Sequence, residues 1–379
     1  MDVNTKNNIE QAIGKSGFPF ENFATTQLRK HGWIVIPNRL YLDDVKGIER
    51  EIDILAYKNY YNKKENICYY TGLIISCKKS TENKWCFLTR DSSNDDINVN
   101  YFPFHFLTDN DILKYMTYSE MSLIEKKYKA NKEINELFSF PKSIISYQVF
   151  KGKGFVKNEQ IYDSIITSIK ALESEKSNLL RIRNGQKKSY KRYYSFYLLS
   201  LFDGEMIDCN FDSNGNVAYS NINSILYLNR HIVNKDENFY SVHFISKDVL
   251  DKTLSNYDAL ATLNFQIFPQ LIVSFYKDIF KSDENVKLLW DSFVDKTSYA
   301  LSYTISKFSK ETLEPRISSF KYENGILTLD IMGYGNLDVN TVYNILNEKN
   351  SSAYKTVKRE LKTLYRYAGK FEFGDSLPF

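Results

Sequence analysis

The residues best suited to chemistry lie in two short apolar runs, Glu51-Ile52-Asp53-Ile54-Leu55-Ala56-Tyr57 and Leu73-Ile74-Ile75-Ser76-Cys77-Lys78-Lys79-Ser80. Each reads as a strand from inside a sheet, yet the first carries Asp53 and the second ends on Lys78. Taking an ionised group out of water costs several kcal/mol, so charges at such positions are paired or hold a metal. Side chains alternate along a strand with a period of two. Ser76 and Lys78 therefore share a face, as do Glu51 and Asp53. If the two strands are neighbours, Asp53, Ser76 and Lys78 converge at one edge of a sheet. A carboxylate, a hydroxyl and an ammonium group together suit a hard cation and a phosphate. The bland alternative is a structural ion pair between Asp53 and Lys78. Glu51 is either a second ligand or a solvent-facing residue. Lys79 points away from Lys78, toward the surface or a substrate phosphate.

A frame must hold those strands. Ahead of them, Phe18-Pro19-Phe20-Glu21-Asn22-Phe23 opens a helix predicted over 20–31, with Phe20, Phe23, Ala24, Gln27 and Leu28 near helical spacing and Gly32 as its stop. The sequence predicts strands near 33–42, 50–57 and 69–77, joined across 58–66 by a surface connection of loop-like composition. Residues 85–88 read as a short strand or a packed loop, and 91–100 as an exposed loop. Helices are predicted over 119–138 and 158–175, the second with Ile161, Ile165, Ile169 and Leu172 on one stripe.

A basic stretch follows, Arg181, Arg183, Lys187, Lys188, Lys191 and Arg192, either a phosphate-contacting loop or a solvated connector. Short runs between 194 and 228 then read as a β-meander with turns at Asp203-Gly204 and Asn214-Gly215. After a strand at 240–245 the texture turns helical from about residue 256, with a hairpin at Asn324-Gly325 and a closing helix over 351–369. That helix sets Tyr354, Val357, Leu361 and Leu364 on one stripe and Lys355, Lys358, Arg359, Lys362 and Arg366 on the other. A basic amphipathic helix lies along phosphates or presents a solvated outer face.

A helical Glu21, the Gly32-Trp33-Ile34-Val35 strand, then Glu51-Ile52-Asp53-Ile54-Leu55-Ala56, then Leu73-Ile74-Ile75-Ser76-Cys77-Lys78 together resemble the restriction-endonuclease-like PD-(D/E)xK nucleases over roughly residues 17–80. The resemblance implies an α/β fold: a restriction-endonuclease-like mixed sheet flanked by helices over 1–255, with a large insertion near 80–190, and a mainly helical C-terminal region over 256–379. It implies Asp53 as the metal-binding carboxylate, Lys78 as the active-site lysine and Glu21 as the accessory helix carboxylate, with Mg²⁺ or Mn²⁺ as cofactor. The family's second carboxylate falls on Ser76, which leaves two outcomes: an active site with a thin ligand set, or a fold that binds nucleic acid without cutting it. DNA is the implied partner, contacted by Lys79 and by Lys355, Lys358, Arg359, Lys362 and Arg366. A protein that activates the enzyme or selects its target, and a second copy of the chain, are further implied partners. The setting implied is bacterial restriction or anti-phage defence.

The 379 residues leave room for two domains, and the net charge of +4 neither demands nor excludes a polyanion. Aromatic residues make up 15% of the chain, so a sizeable core is available. Cys68, Cys77, Cys86 and Cys209 form no metal-binding spacing and read as reduced thiols of a cytoplasmic protein. No signal peptide is read at the polar N-terminus, and no apolar run is read as a membrane span. The four histidines (His31, His105, His231, His243) show no metal spacing, and His31 is expected to cap the first helix.

Overall fold

Strand pairing organises the first 269 residues, and helices cover what the strands leave open. The computed structural model describes residues 1–43, 47–92, 102–185, 190–233, 236–277, 279–309 and 312–375. The chain divides into two units, Met1–Pro269 and Gln270–Phe379, a boundary later than the expected 255/256. The described residues form a mixed α/β structure with ten α-helices and three sheets.

In the first unit, α1 (Val3–Lys15) and α2 (Phe18–Lys30) precede β1 (Ile34–Asp43), β2 (Ile48–Asn62), β3 (Ile67–Lys79) and β4 (Asn83–Asp91). The span expected as insertion then holds β5 (His105–Thr108), α3 (Asp111–Ser119), α4 (Met121–Ala130), α5 (Lys132–Asn135), β6 (Lys142–Lys151), β7 (Gly154–Val156) and α6 (Glu159–Gly185). It is followed by β8 (Lys191–Asp203), β9 (Met206–Phe211), β10 (Val217–Ile222), β11 (Ser224–Val233), β12 (Asp236–Ser246) and α7 (Leu250–Lys277).

Seven strands form one sheet in the order β1-β2-β3-β8-β12-β11, with β5 on β8. The β3–β8 and β8–β12 pairs are parallel and the others antiparallel. A second sheet runs β10-β9-β4-β6-β7. One buried cluster joins the two: Leu55, Ile74, Phe196, Leu198 and Phe202 of the first sheet, Trp85, Phe87 and Val149 of the second, and the expected stripe Ile161, Ile165, Ile169 and Leu172 of α6. Phe202 stacks on Trp85 with ring centroids 3.9 Å apart.

Several expectations are corrected. The run 58–66 is mostly strand, because Tyr60 and Tyr61 pair across the ladder with Tyr69 and Cys68; aromatic cross-strand pairs outweigh the polar composition. Residues 194–228 are not one meander: β8 is central in the first sheet, whereas β9 and β10 belong to the second. The helix expected over 119–138 is two short ones, α4 and α5, the second started by the Asn131 cap, whose side chain accepts from the Ile134 N–H. Long and apolar enough by composition to cross a membrane, Lys247–Lys277 is a segment the sequence reading did not anticipate. In the first unit its apolar residues Leu250, Leu254, Tyr257, Leu260, Ala261, Ile267 and Phe268 are buried core.

The second unit holds α8 (Asp283–Ile305), β13 (Arg316–Glu323), β14 (Ile326–Met332), α9 (Val339–Asn347), α10 (Ser352–Leu364) and β15 (Lys370–Phe373). Its sheet has the order β13-β14-β15, so the helical C-terminal region also carries three strands. The Asn324-Gly325 turn is present, with both residues at positive φ.

Candidate active site

Antiparallel pairing of β2 with β3 sets the site. The ladder reaches Ile54 opposite Ile75, and one step further out Asp53 meets Ser76. Asp53 is half-buried and its Oδ2 accepts from the Cys77 backbone N–H at 2.5 Å and from Ser76 Oγ at 3.3 Å. Ser76 is fully buried. Beyond Ser76, β3 keeps its parallel partner β8 as far as Lys79 opposite Asp203. The strand is therefore still held on one side at Lys78, which lies opposite Phe202. The structural alternative of an Asp53–Lys78 ion pair is not formed: among the described residues no ion pair within 4.0 Å joins them.

Helix α2 brings Glu21 to the same edge. Burial raises the pKa of its carboxyl first, the charges of Asp53 and then Glu51 raise it further, and Lys78 works against them. Glu51, whose role the sequence left open, is exposed, and its charge still reaches Glu21. A Cβ at Gly17 would lie 3.0 Å from Glu21 Oε1, so a residue without a side chain precedes this carboxylate. The Cys77 thiol is pushed well up by burial and then by Asp53 and Glu21; it stays protonated, and a protonated thiol is neither nucleophile nor metal ligand.

The fit to a divalent cation can be judged from the donors. Among the described residues no three His, Cys, Asp or Glu side chains converge to hold a metal. Asp53 and Glu21 remain as two carboxylates within each other's field, with Glu51 adding charge. Mg²⁺ commonly takes only one or two carboxylates and keeps several waters. The crowding of like charge recorded on Glu21 is what a bound cation would relieve.

One neighbour, Lys247, is not foreseen from the sequence. Lys247 reaches Asp203 at 3.3 Å and sits over the Phe23 and Phe20 rings at 5.4 and 5.9 Å. Nothing local in the sequence marks it, since it follows β12, a strand distant from α2 along the chain. Lys79 donates to the Gly14 carbonyl at 3.0 Å, which ties it to the end of α1. His31 caps α2 as expected, and Asp258 at 2.7 Å and Asp251 at 3.1 Å hold its ring. Burial alone would lower its pKa, but these two carboxylates raise it on balance.

Other expected contacts are dispersed. Arg192 is buried and ion-paired with Asp109 at 3.5 Å, which removes it from any phosphate-contacting loop. Lys187 and Lys188 lie outside the described residues. Within the second unit, α10 buries Ala353, Val357 and Leu361 and exposes Lys355, Lys358 and Lys362. Arg359 bonds the neighbouring Glu360 at 2.8 Å. The helix stops at Leu364, and Arg366 takes a positive φ and lies over the Tyr276 ring at 4.0 Å. Arg366 is thus not on the basic face predicted for it, because the chain has already left the helix.

The structure also joins Ser224 and His243, which the sequence left apart. Ser224 Oγ and His243 Nε2 are 2.6 Å apart, and Tyr257 lies on the other ring nitrogen at 3.3 Å. Burial holds His243 down to about 4, so the ring is neutral and a weak base. No family model matches this chain, and no curated protein or solved structure matches it.

Proposed function

We propose that this chain is a divalent-metal-dependent nuclease with a restriction-endonuclease-like core, hydrolysing phosphodiester bonds in DNA. One observation carries the reading. Asp53 is held at a sheet edge by a backbone N–H and a hydroxyl, with no protein cation among its described partners, while its charge helps keep Glu21 protonated to higher pH. A carboxylate pair opposed only by the charge of Lys78, with no ion pair formed, is costly unless a cation shares the site. Asp53 and Glu21 would hold Mg²⁺ or Mn²⁺, which when bound polarises a phosphoryl oxygen and acidifies water. Lys78 would stabilise charge developing on the phosphate. Ser76 would orient Asp53, the residue to which its hydroxyl already donates. Lys355, Lys358 and Lys362, exposed on α10, would meet DNA phosphates, and each lost contact would lower the log–log salt slope by about 0.9.

A second reading has its own support. Ser76 is fully buried at the position where the resembling nucleases carry their second carboxylate, and a non-catalytic nucleic-acid-binding subunit would tolerate that. Cleavage assays on linear DNA, supercoiled DNA and RNA across Mg²⁺ and Mn²⁺ concentrations separate the two. The nuclease reading expects Mn²⁺-favoured DNA cleavage that Lys78→Ala reduces by at least about a hundredfold. Unchanged turnover in Lys78→Ala removes that residue from the mechanism. Retained DNA binding with no cleavage under any of these conditions establishes the non-catalytic reading.

A further inference from the structure

The second unit contains a cavity of about 400 Å³ between the start of α8 and β13, with walls from Phe280, Trp290, Phe320 and Tyr322. Trp290 packs edge-on to Phe320 at 5.0 Å, as does Phe280 at 5.9 Å, so the rings brace one another as walls. Asp283 and Lys287, one turn apart on α8 and both exposed, stand at the rim. Ser318 is among the polar residues that line the cavity. The β13–β14 register shifts between Ile317 and Ser319, so Ser318 has no cross-strand partner in the ladder. Its Oγ is buried and makes no hydrogen bond. Buried hydroxyls are nearly always satisfied, and one that is not has hydrogen-bonding capacity left over.

We infer that this cavity is a nucleobase-binding site, with the base lying against the aromatic walls and a polar edge of the base reaching Ser318. The chemistry selects this ligand class. A planar base uses the rings by stacking, which is tolerant of base identity. Its edge donors and acceptors match a hydroxyl and a carboxylate, and a phosphate on the same nucleotide matches Lys287. A lone quaternary ammonium would use the rings and Asp283, but it would offer nothing to Ser318 and would face the like charge of Lys287. The volume also lies within the range of small-molecule sites, roughly 300–1,000 Å³. The inference does not rest on the nuclease reading, since base binding is measured without cleavage.

Intrinsic fluorescence of the full chain tests it directly. Trp33 and Trp85 are buried at 3% and 0% exposure, whereas Trp290 is half-buried and lines the cavity. Adenosine and guanosine monophosphates should quench the emission saturably, while ribose 5-phosphate and tetramethylammonium should not. Ser318→Ala should weaken nucleotide binding about threefold to tenfold with an unchanged circular dichroism spectrum. Trp290→Leu, followed by calorimetry, should weaken it at least about fivefold. Tighter binding of a single-stranded oligonucleotide at equal base concentration would give the base a polymer source. Preference for the mononucleotide would give it a free one. Absence of saturable quenching at millimolar nucleotide overturns the inference. So does equal quenching by tetramethylammonium, or full nucleotide affinity in Ser318→Ala and Trp290→Leu alike.

Discussion

Asp53 and Asp208 sit in the two sheets of the first unit and are treated in opposite ways. Asp208, on β9, is 2% exposed and fully engaged: Thr89 donates to one oxygen at 2.5 Å and Lys142 pairs with the other. Asp43, at the end of β1, follows the same pattern, with Lys170 2.8 Å from one carboxylate oxygen and 2.9 Å from the other. Asp53 has hydrogen bonds of comparable quality but no such cation. The first two satisfy the rule that a buried charge carries its counter-ion with it. Asp53 satisfies only the hydrogen-bonding half of that rule. A carboxylate fixed in direction but not neutralised is suited to an ion that comes from outside.

The sharpest way to break this contrast is to make the same substitution at both places. Asp53→Asn keeps an acceptor for the Cys77 N–H and should leave stability within about 1 kcal/mol, while DNA cleavage falls at least about a hundredfold. Asp208→Asn should do the reverse, costing about 2–3 kcal/mol because Lys142 loses its partner, with chemistry at Asp53 intact. Urea unfolding and cleavage rates measured on both proteins decide it. Parental cleavage by Asp53→Asn would defeat the site, and an undiminished stability in Asp208→Asn would erase the difference between the two carboxylates.

A smaller effect concerns the cation itself. Mn²⁺ at ten times its dissociation constant should stabilise the wild-type fold by about 1.4 kcal/mol. Asp53→Asn should show none of that gain, while Asp208→Asn should keep all of it. Equal stabilisation of wild type and Asp53→Asn in a thermal melt would place the ion elsewhere.

The smallest effect is the pH dependence of Glu21. Its folded pKa is raised, so the stability tied to its proton is complete below the unfolded value and is lost as pH rises through the folded one. Glu21→Gln should therefore melt about 1–2 °C higher than wild type at neutral pH, and the gap should close toward acid pH. Saturating Mn²⁺ should also narrow it, by stabilising wild type alone. A gap that is constant with pH would mean that neither burial nor the charge of Asp53 raises the Glu21 pKa.

Local pattern made much of this legible. The alternation of apolar residues around Asp53 and Ser76 placed them on facing strands, because a period of two assigns faces without reference to the rest of the chain. The stripe of Ile161, Ile165, Ile169 and Leu172 likewise implied a buried face of α6, and the helix is buried along that face. Boundaries were less legible: Tyr60 and Tyr61 are strand residues in a stretch of loop composition, and Arg366 lies past a helix end that no glycine or proline marks.

By itself, then, the sequence determined which residues share a face, where the aromatic mass is available, and which pair of strands could carry a carboxylate and a lysine to one edge. Only the tertiary structure decided who meets whom. It supplied the Cys77 N–H as the clamp on Asp53, left Lys78 outside an ion pair, took Arg192 into a buried pair with Asp109, and gathered β4, β6, β7, β9 and β10 into a second sheet. It also left Ser318 unmatched in the cavity that Trp290 lines, through a register shift between two strands. The physical reason is common to all of these. Side-chain direction follows from backbone periodicity over a few residues, whereas counter-ions, clamps and cavities come from segments distant along the chain, and their meeting is set by the packing of the whole fold.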